Sequence, residues 1–447
     1  MKRALNLGVG NVFKSFGSTF RSLSYRNYRL FFGGQSISLI GTWIQRIALP
    51  WLVYRLTGSA FLLGVVGFAG QIPTFILAPF AGVLADRWNR YRLLIATQVL
   101  FMIQALILSV LFFFGSIQVW QIVILSVIAG CINAFDVPSR QSFVIEMVGK
   151  KEDLGNAIAL NSSMVNAARL LGPSIAGVLI ASAGEGVCFL INGLSYIFVI
   201  ISLLFMKGNF NTRKKPQSDI MKELKEGFAY TFGFVPIKAI ILLLALASLV
   251  GMPYTVLMPV FAKEVLHGGS HTFGFLMASS GVGALIGALY LASKKNILGL
   301  CKLISLSAAI FGLGLVGFSF SRIFPLSLLL LVIVGMSMML QMASSNTILQ
   351  TIADDDKRGR VMSFYTMAFM GIAPFGSILA GSLASLIGVT YTLLGGGIIC
   401  IAGALVFARK LPVLNELVHP IYVKLGIIPE VARGIQSATE MTVKTDN

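Results

Sequence analysis

Apolar residues fill this chain in long blocks divided by short polar stretches; Leu93–Phe114 and Ile240–Val250 lie in two of them. About 20 apolar residues in helical form cross a hydrocarbon core of ~30 Å. Twelve such spans are predicted, at roughly 28–56, 61–85, 92–115, 118–142, 157–183, 186–206, 237–264, 271–293, 298–320, 325–347, 360–387 and 390–409. Each is expected to be a helix, because an isolated strand leaves its backbone polar groups unsatisfied in lipid. The longest internal polar stretch, 207–236, begins with several lysines and carries an amphipathic piece at Asp219–Tyr230, the pattern of a linker with a helix lying on the membrane surface. The chain therefore divides into an N-terminal segment 1–27, a bundle 28–206, the linker 207–236, a second bundle 237–409 and a tail 410–447 with Pro412 and Pro420.

The two bundles repeat one another. Gly130 matches Gly335 at an offset of 205, Gly155 matches Gly359 and Gly177 matches Gly381 at 204, Pro50 matches Pro259 at 209, and Leu63-Gly64 matches Phe273-Gly274 at 210. A nearly constant offset over most of each half predicts an all-α membrane protein of two pseudo-symmetric six-helix bundles, with a ligand site between them near the midplane.

Composition agrees: 56% of the 447 residues are hydrophobic and 12% charged, with a mean hydropathy of +0.85. A soluble exterior needs far more charge. The net charge of +18 does not point to nucleic acid, because the basic residues sit in alternate short loops. Arg87, Arg90 and Arg92, Lys150 and Lys151, Arg213 to Lys215, Lys294 and Lys295, Lys357 to Arg360, and Arg409 with Lys410 fall on one side. The intervening loops hold little beyond Arg55, Lys263 and Arg322. Cytoplasmic loops retain Lys and Arg, so both termini are expected inside. Cys131, Cys188, Cys301 and Cys400 lie singly within spans, and His267, His271 and His419 fall in loops. Neither set has metal-site or disulfide spacing. No nucleophile–base pair marks an enzyme, no cofactor is implied, two unequal halves disfavour an ion channel, and no removable signal is expected.

Several strings resemble the major facilitator superfamily over residues 20–410. Gly82-Val-Leu-Ala-Asp86-Arg87-Trp-Asn-Arg90-Tyr-Arg92 is similar to the signature between its second and third helices, with Asn89 where Gly is usual. Arg169-Leu-Leu-Gly172-Pro173-Ser-Ile-Ala176-Gly177 resembles the Gly-Pro signature of its exporter branches. Asp136-Val-Pro138-Ser-Arg140-Gln141 and Asn156-Ala-Ile-Ala-Leu-Asn161 resemble the subgroup of enterobactin exporters and macrolide-efflux proteins. The resemblance implies the major facilitator fold, alternating access and a bacterial inner-membrane location.

Four groups of residues can carry such a mechanism. Asp86, Arg87, Arg90, Asp136 and Arg140 are expected to form a cytoplasmic latch of charge-assisted bonds. Arg46 and Arg169 sit deep in their spans, where a guanidinium costs on the order of 2.5–3.5 kcal/mol and faces a cavity or a partner. They predict an anionic or acceptor-rich substrate group, with Gln45, Gln71 and Asn166 as neighbouring polar residues. Gly172, Pro173 and Gly177, echoed by Gly376 and Gly381, make small-residue faces for close helix contact. Tyr254, Gln341, Met342 and Ser345 offer a softer lining in the second half. Asp136 is also the candidate for proton coupling. The sequence thus reads as a monomeric secondary transporter exporting an amphipathic, anionic small molecule such as a siderophore or drug. Import of a siderophore or its iron complex is the alternative, since fold does not fix direction.

Overall fold

A computed structural model describes the backbone of residues 20–208, 220–294, 297–354 and 357–425, and side chains over the same stretches apart from 78–87, 151 and 220–225. The first bundle contains α1 (Arg26–Thr57), α2 (Ala60–Arg87), α3 (Arg90–Phe113), α4 (Val119–Met147), α5 (Lys151–Ala183) and α6 (Glu185–Leu204). A linker helix, α7 (Ile220–Gly233), follows. The second bundle contains α8 (Val235–Val265), α9 (Ser270–Ser293), α10 (Leu300–Phe320), α11 (Phe324–Ile352), α12 (Arg358–Ile387) and α13 (Val389–Lys424). Eleven of these twelve long helices are apolar enough to cross a membrane; α1 carries too many polar residues, Arg29, Gln35, Gln45 and Arg46 among them. The described residues contain no strand. Every long helix runs between a face that carries Phe20, Leu425 and the linker helix α7, here the terminal face, and an opposite face.

The bundles meet along two helix pairs, α2 with α12 and α5 with α9. Both contacts are backbone on backbone. A methyl group added at Gly381 would sit 2.7 Å from the Ala60 carbonyl oxygen and 2.8 Å from Gly64 Cα, and one added at Gly274 would sit 2.6 Å from the Pro173 carbonyl oxygen and 2.7 Å from Gly177 Cα. Glycine is required at these points because any side chain would fill the space the other backbone occupies. The two contacts are copies of one another under the internal repeat: 381 − 177 = 204 and 274 − 64 = 210.

Burial shows where the halves touch and where they part. One apolar cluster near the opposite face draws on both halves, with Trp51, Leu52, Leu63 and Ile180 against Leu257, Phe261, Phe273 and Leu276. Toward the terminal face the core splits into two separate clusters, one in the first half around Tyr28, Phe143 and Val199, the other in the second half around Ile240, Ile304 and Ile348. Polar links across the halves follow the same division. Tyr54 donates to the Glu264 carboxylate, Lys263 Nζ lies 5.6 Å from the Tyr54 ring centre, and Ser270 Oγ donates to the Gly177 carbonyl at 3.3 Å. Trp51 and Phe273 stack at 5.9 Å. On the terminal face the described ion pairs stay within one half, Arg90–Glu146 in the first and Arg360–Glu226 in the second. The molecule is a wedge, shut at the opposite face and open at the terminal face.

Three departures from regular helix lie in the second bundle. In α8 the turns at Ala247–Gly251 and Phe261–Val265 are π-helical, and so is Met367–Gly371 in α12. Two of the three immediately precede a proline, Pro253 and Pro374, whose missing N–H and ring clash disrupt the normal i to i−4 pattern. Ser248, in the first of these turns, donates to the Phe369 carbonyl at 2.6 Å and pins α8 to α12.

The linker helix belongs to the second half. Glu226 pairs with Arg360 at 2.8 Å, Lys357 lies over the Tyr230 ring at 4.6 Å, and Phe232 packs edge-on against Phe364. Of the expected piece Asp219–Tyr230, the described part from Ile220 is helix and continues to Gly233, and Asp219 lies outside the described residues. The tail expected from 410 does not begin there, because α13 runs on through Pro412 and Pro420 to Lys424. Leu414, Val418 and Tyr422 are buried in the second-half core, so hydrophobic burial outweighs the lost backbone bonds.

Gly381→Val places a branched side chain against Ala60 and Gly64. The opposite face is expected to open: a cysteine at Leu257, buried in the intact protein, becomes labelled by a membrane-impermeant thiol reagent several-fold faster. Unchanged labelling in a folded variant contradicts the contact as described.

Candidate functional site

The wedge narrows to a point lined by α1 and α5. Arg46 is 11 residues before the end of α1 and Arg169 is 14 before the end of α5, which puts them about 16 and 21 Å from those helix ends at 1.5 Å per residue. Despite that depth the Arg46 side chain is exposed, because it faces the open wedge, and Arg169 is partly exposed. Both lie over Trp43, whose ring centre is 5.0 Å from the Arg46 guanidinium carbon and 6.0 Å from that of Arg169. Both distances are within cation–π range. Trp43 precedes Arg46 by one helical turn and so shares its face. It fits against α5 because position 172 is glycine, where a methyl group would collide with Trp43 Cβ. The Gly-Pro segment of α5 therefore seats the indole that both arginines flank. Among the described residues, neither guanidinium forms an ion pair with a carboxylate.

Behind Arg46 lies a polar layer internal to the first bundle. Thr42 donates to the Ser38 carbonyl at 2.9 Å, which leaves the Tyr196 hydroxyl to donate to Thr42 Oγ1 at 3.2 Å. Tyr196 is held flat against Phe101, ring centres 5.7 Å apart. Gln45 faces this layer and not the wedge: its amide donates to Gln104 at 3.1 Å and accepts from Asn192 at 2.8 Å, tying α1 to α3 and α6. Gln71 and Asn166 spend their amide N–H groups on carbonyls of their own helices, Gly67 at 3.1 Å and Ser162 at 3.0 Å. Both remain partly exposed.

Asp136 is 4% exposed and sits 11 residues before the end of α4, deeper than its assignment to a latch requires. Its Oδ1 accepts from Thr97 at 3.0 Å and from Gln98 at 2.7 Å, both on α3, and Oδ2 faces Arg140 Nε at 3.4 Å. The pair is an internal brace between α3 and α4. Arg90 pairs with Glu146 at 2.7 Å, a carboxylate 56 residues away that charge patterning alone did not single out. The side chains of Asp86 and Arg87 lie outside the described residues.

In the second half Tyr254 is 1% exposed and shares a 2.6 Å hydrogen bond with Ser280. Gln341 occupies the place in α11 that Asp136 occupies in α4, 11 residues before the helix end. It borders a crevice of about 10 Å³, no larger than a water molecule needs, with Ser248, Met252, Phe311, Met342 and Phe369. Its Nε2, together with Ser344 Oγ and Ser345 Oγ, is buried without a hydrogen-bond partner. These residues cluster on one turn of α11, whereas Tyr254 belongs to a separate contact. The small-residue faces also divide in role. Gly177 and Gly381 make the contacts between halves, Gly172 seats Trp43, and Gly376 packs α12 on the Leu249 carbonyl and Pro253 of α8. The Pro173 carbonyl meets Gly274. Among the described residues no group of His, Cys, Asp and Glu could hold a metal ion.

Comparison with known proteins places this geometry in a family. The family model described as a transmembrane secretion effector matches residues 17–422. A staphyloferrin A transporter of Staphylococcus aureus is 28% identical over 88% of this chain and 99% of its own. Macrolide efflux protein A of Streptococcus pyogenes is 25% identical over 88% of this chain and 98% of its own. The crystal structure of a bacterial homologue of the iron transporter ferroportin in an inward-facing state superposes with a TM-score of 0.67 at 17% identity, covering 86% of this chain and 98% of that one. That likeness is one of fold.

Removing one partner of a buried ion pair costs about 3–5 kcal/mol, whereas replacing both by apolar groups is often neutral. Asp136→Leu is expected to lower the thermal unfolding midpoint of the purified protein by several degrees, and Asp136→Leu with Arg140→Leu to recover most of the loss. Additive losses in the double variant contradict the brace.

Proposed function

As the chain belongs to the transmembrane secretion effector family of major facilitator transporters, we propose that it exports an anionic, amphipathic small molecule across the bacterial inner membrane by alternating access. The observation that carries this reading is the pair of guanidiniums at the apex of the wedge, reachable from the terminal face and lacking a described carboxylate partner. A cation held at membrane depth without a protein counter-charge is stabilised by a ligand that brings one. Arginine suits the task because its planar fork meets carboxylate or phosphate with two parallel bonds. The apolar and methionine-rich surfaces beyond it accept the rest of an amphipathic molecule.

Charge and kinship support the direction and topology of this reading. The basic residues gather at the terminal face, which makes it the cytoplasmic one, so the open wedge collects its ligand from inside the cell. The macrolide efflux relative is named as an exporter, and the staphyloferrin relative as a transporter of a siderophore. Closure on the cytoplasmic side with release of the Gly64–Gly381 and Gly177–Gly274 contacts then exposes the site to the outside. Asp136 takes the coupling proton: its protonation weakens the hold on Arg140, the cation next to the Arg46 layer. In this reading the protein works as a monomer.

Cells with and without the gene, compared by metabolite profiling of cytosol and medium, test the proposal. An anionic amphiphile is expected to build up inside the deletion strain and to be exported again with the wild-type gene, but at least tenfold more slowly with Arg169→Gln. Full export by Arg169→Gln contradicts anion recognition. A compound stranded in the deletion strain's medium reverses the direction.

A further inference from the structure

The charge balance around the apex narrows the ligand class. Arg140 and Arg169 both lie close enough to Arg46 to act on it electrostatically, and Trp43 brings the Arg46 and Arg169 guanidinium carbons to within at most about 11 Å of one another, the sum of their distances from its ring centre. Against these three cations the middle of the first bundle sets one described carboxylate, Asp136, which is bound to Arg140 and turned into α3. The remaining described acids of the first bundle lie elsewhere: Glu146 pairs with Arg90 and Asp153 with Arg21 toward the terminal face, where Glu152 is exposed in the first turn of α5, and Glu185 pairs with Arg55 toward the opposite face. The apex thus holds an excess of two positive charges, both within cation–π reach of a single indole. Like charges this close repel one another. The ring faces the two guanidiniums with its negative quadrupole and eases that repulsion without neutralising either.

Building on the reading of this site as an anion seat, we propose that the transported ligand carries two negatively charged groups, one for Arg46 and one for Arg169, and that Trp43 is the residue that sets the spacing between them. A monoanion would leave one guanidinium without a counter-charge. A dianion satisfies both, with each carboxylate or phosphate oxygen pair matching one planar fork. Trp43 fixes the separation because it is itself fixed. It lies one turn before Arg46 on α1, and its Cβ occupies the notch left by Gly172, three residues after Arg169 on α5. Both cations therefore keep their distance through a ring that neither helix can shift alone. Trp43 carries no charge; it acts on the ligand through the arginines and is a positioning residue.

The test is binding to the purified full-length protein in nanodiscs, with α,ω-alkanedicarboxylates of graded chain length as probes and the monocarboxylate of equal length as the control for each. Dicarboxylates are expected to bind at least tenfold tighter than their monocarboxylate controls, with an optimum at one chain length. Arg46→Gln and Arg169→Gln should each remove that preference, leaving mono- and dicarboxylate equal. Trp43→Phe, which keeps a ring, should retain the preference and move the optimum length. Trp43→Ala should flatten the length dependence even where its unfolding midpoint matches the wild type. Equal binding of mono- and dicarboxylates to the wild type overturns the dianion proposal and leaves the anion seat standing. Binding of neither, or binding unaffected by both arginine substitutions, overturns the anion seat as well. An unchanged optimum in both Trp43 variants removes Trp43 from the proposal.

Discussion

Everything else in this molecule depends on backbone meeting backbone at two places, Gly64 against Gly381 and Gly177 against Gly274. In lipid the hydrophobic effect does not drive helices together, so association rests on close van der Waals contact and on interhelical polar bonds. Glycine permits that contact and binds nothing strongly. The two halves can therefore lie tightly together at one face without a large energy holding them there. Around these contacts sit a shared apolar cluster, one stacked pair and a few polar links, Tyr54 with Glu264 the best placed of them. The internal repeat relates the two glycine contacts to one another.

The same helices that touch at glycine also carry the site. α5 contributes Gly177 to the interface, Gly172 to the seat of Trp43 and Arg169 to the apex, within nine residues. A tilt of α5 against α9 thus moves the cation that faces the ligand. On the other side the π-helical turns of α8 and α12 lie opposite one another, joined by the Ser248–Phe369 bond, next to the crevice that Gln341 borders. The first half holds the paired arginines and a hydrogen-bonded polar layer, whereas the second holds the π-helical turns and the buried, unpartnered Gln341, Ser344 and Ser345.

Much of this was readable from the residues. The spans, their alternating basic loops and the constant offsets required two helical bundles, and the depth of Arg46 and Arg169 marked a cavity before any geometry was known. Trp43 escaped notice because a tryptophan within a span reads as an ordinary apolar residue; the i, i+3 spacing to Arg46 was the available signal, but the notch at Gly172 is a tertiary fact. Gln45 shares the first helix with Arg46 yet points the other way, a matter of about 100° of helical turn between neighbours. Asp136 and Arg140 were correctly placed on one face, but which way that face looks depends on Thr97 and Gln98 of another helix. The run of α13 through two prolines contradicts local propensity and is decided by the burial of Leu414, Val418 and Tyr422.

The central claim is that the wedge closes at one face as it opens at the other. Spin-label distance measurements in nanodiscs test it most directly, with one pair at Lys150 and Gln350 on the terminal face and one at Thr57 and His267 on the opposite face, before and after adding the metabolite that the cells export. The account predicts that the Lys150–Gln350 distance shortens while the Thr57–His267 distance lengthens. Shortening at the terminal face with no change at Thr57–His267 would contradict it, because the glycine contacts would then be a fixed hinge and not a gate.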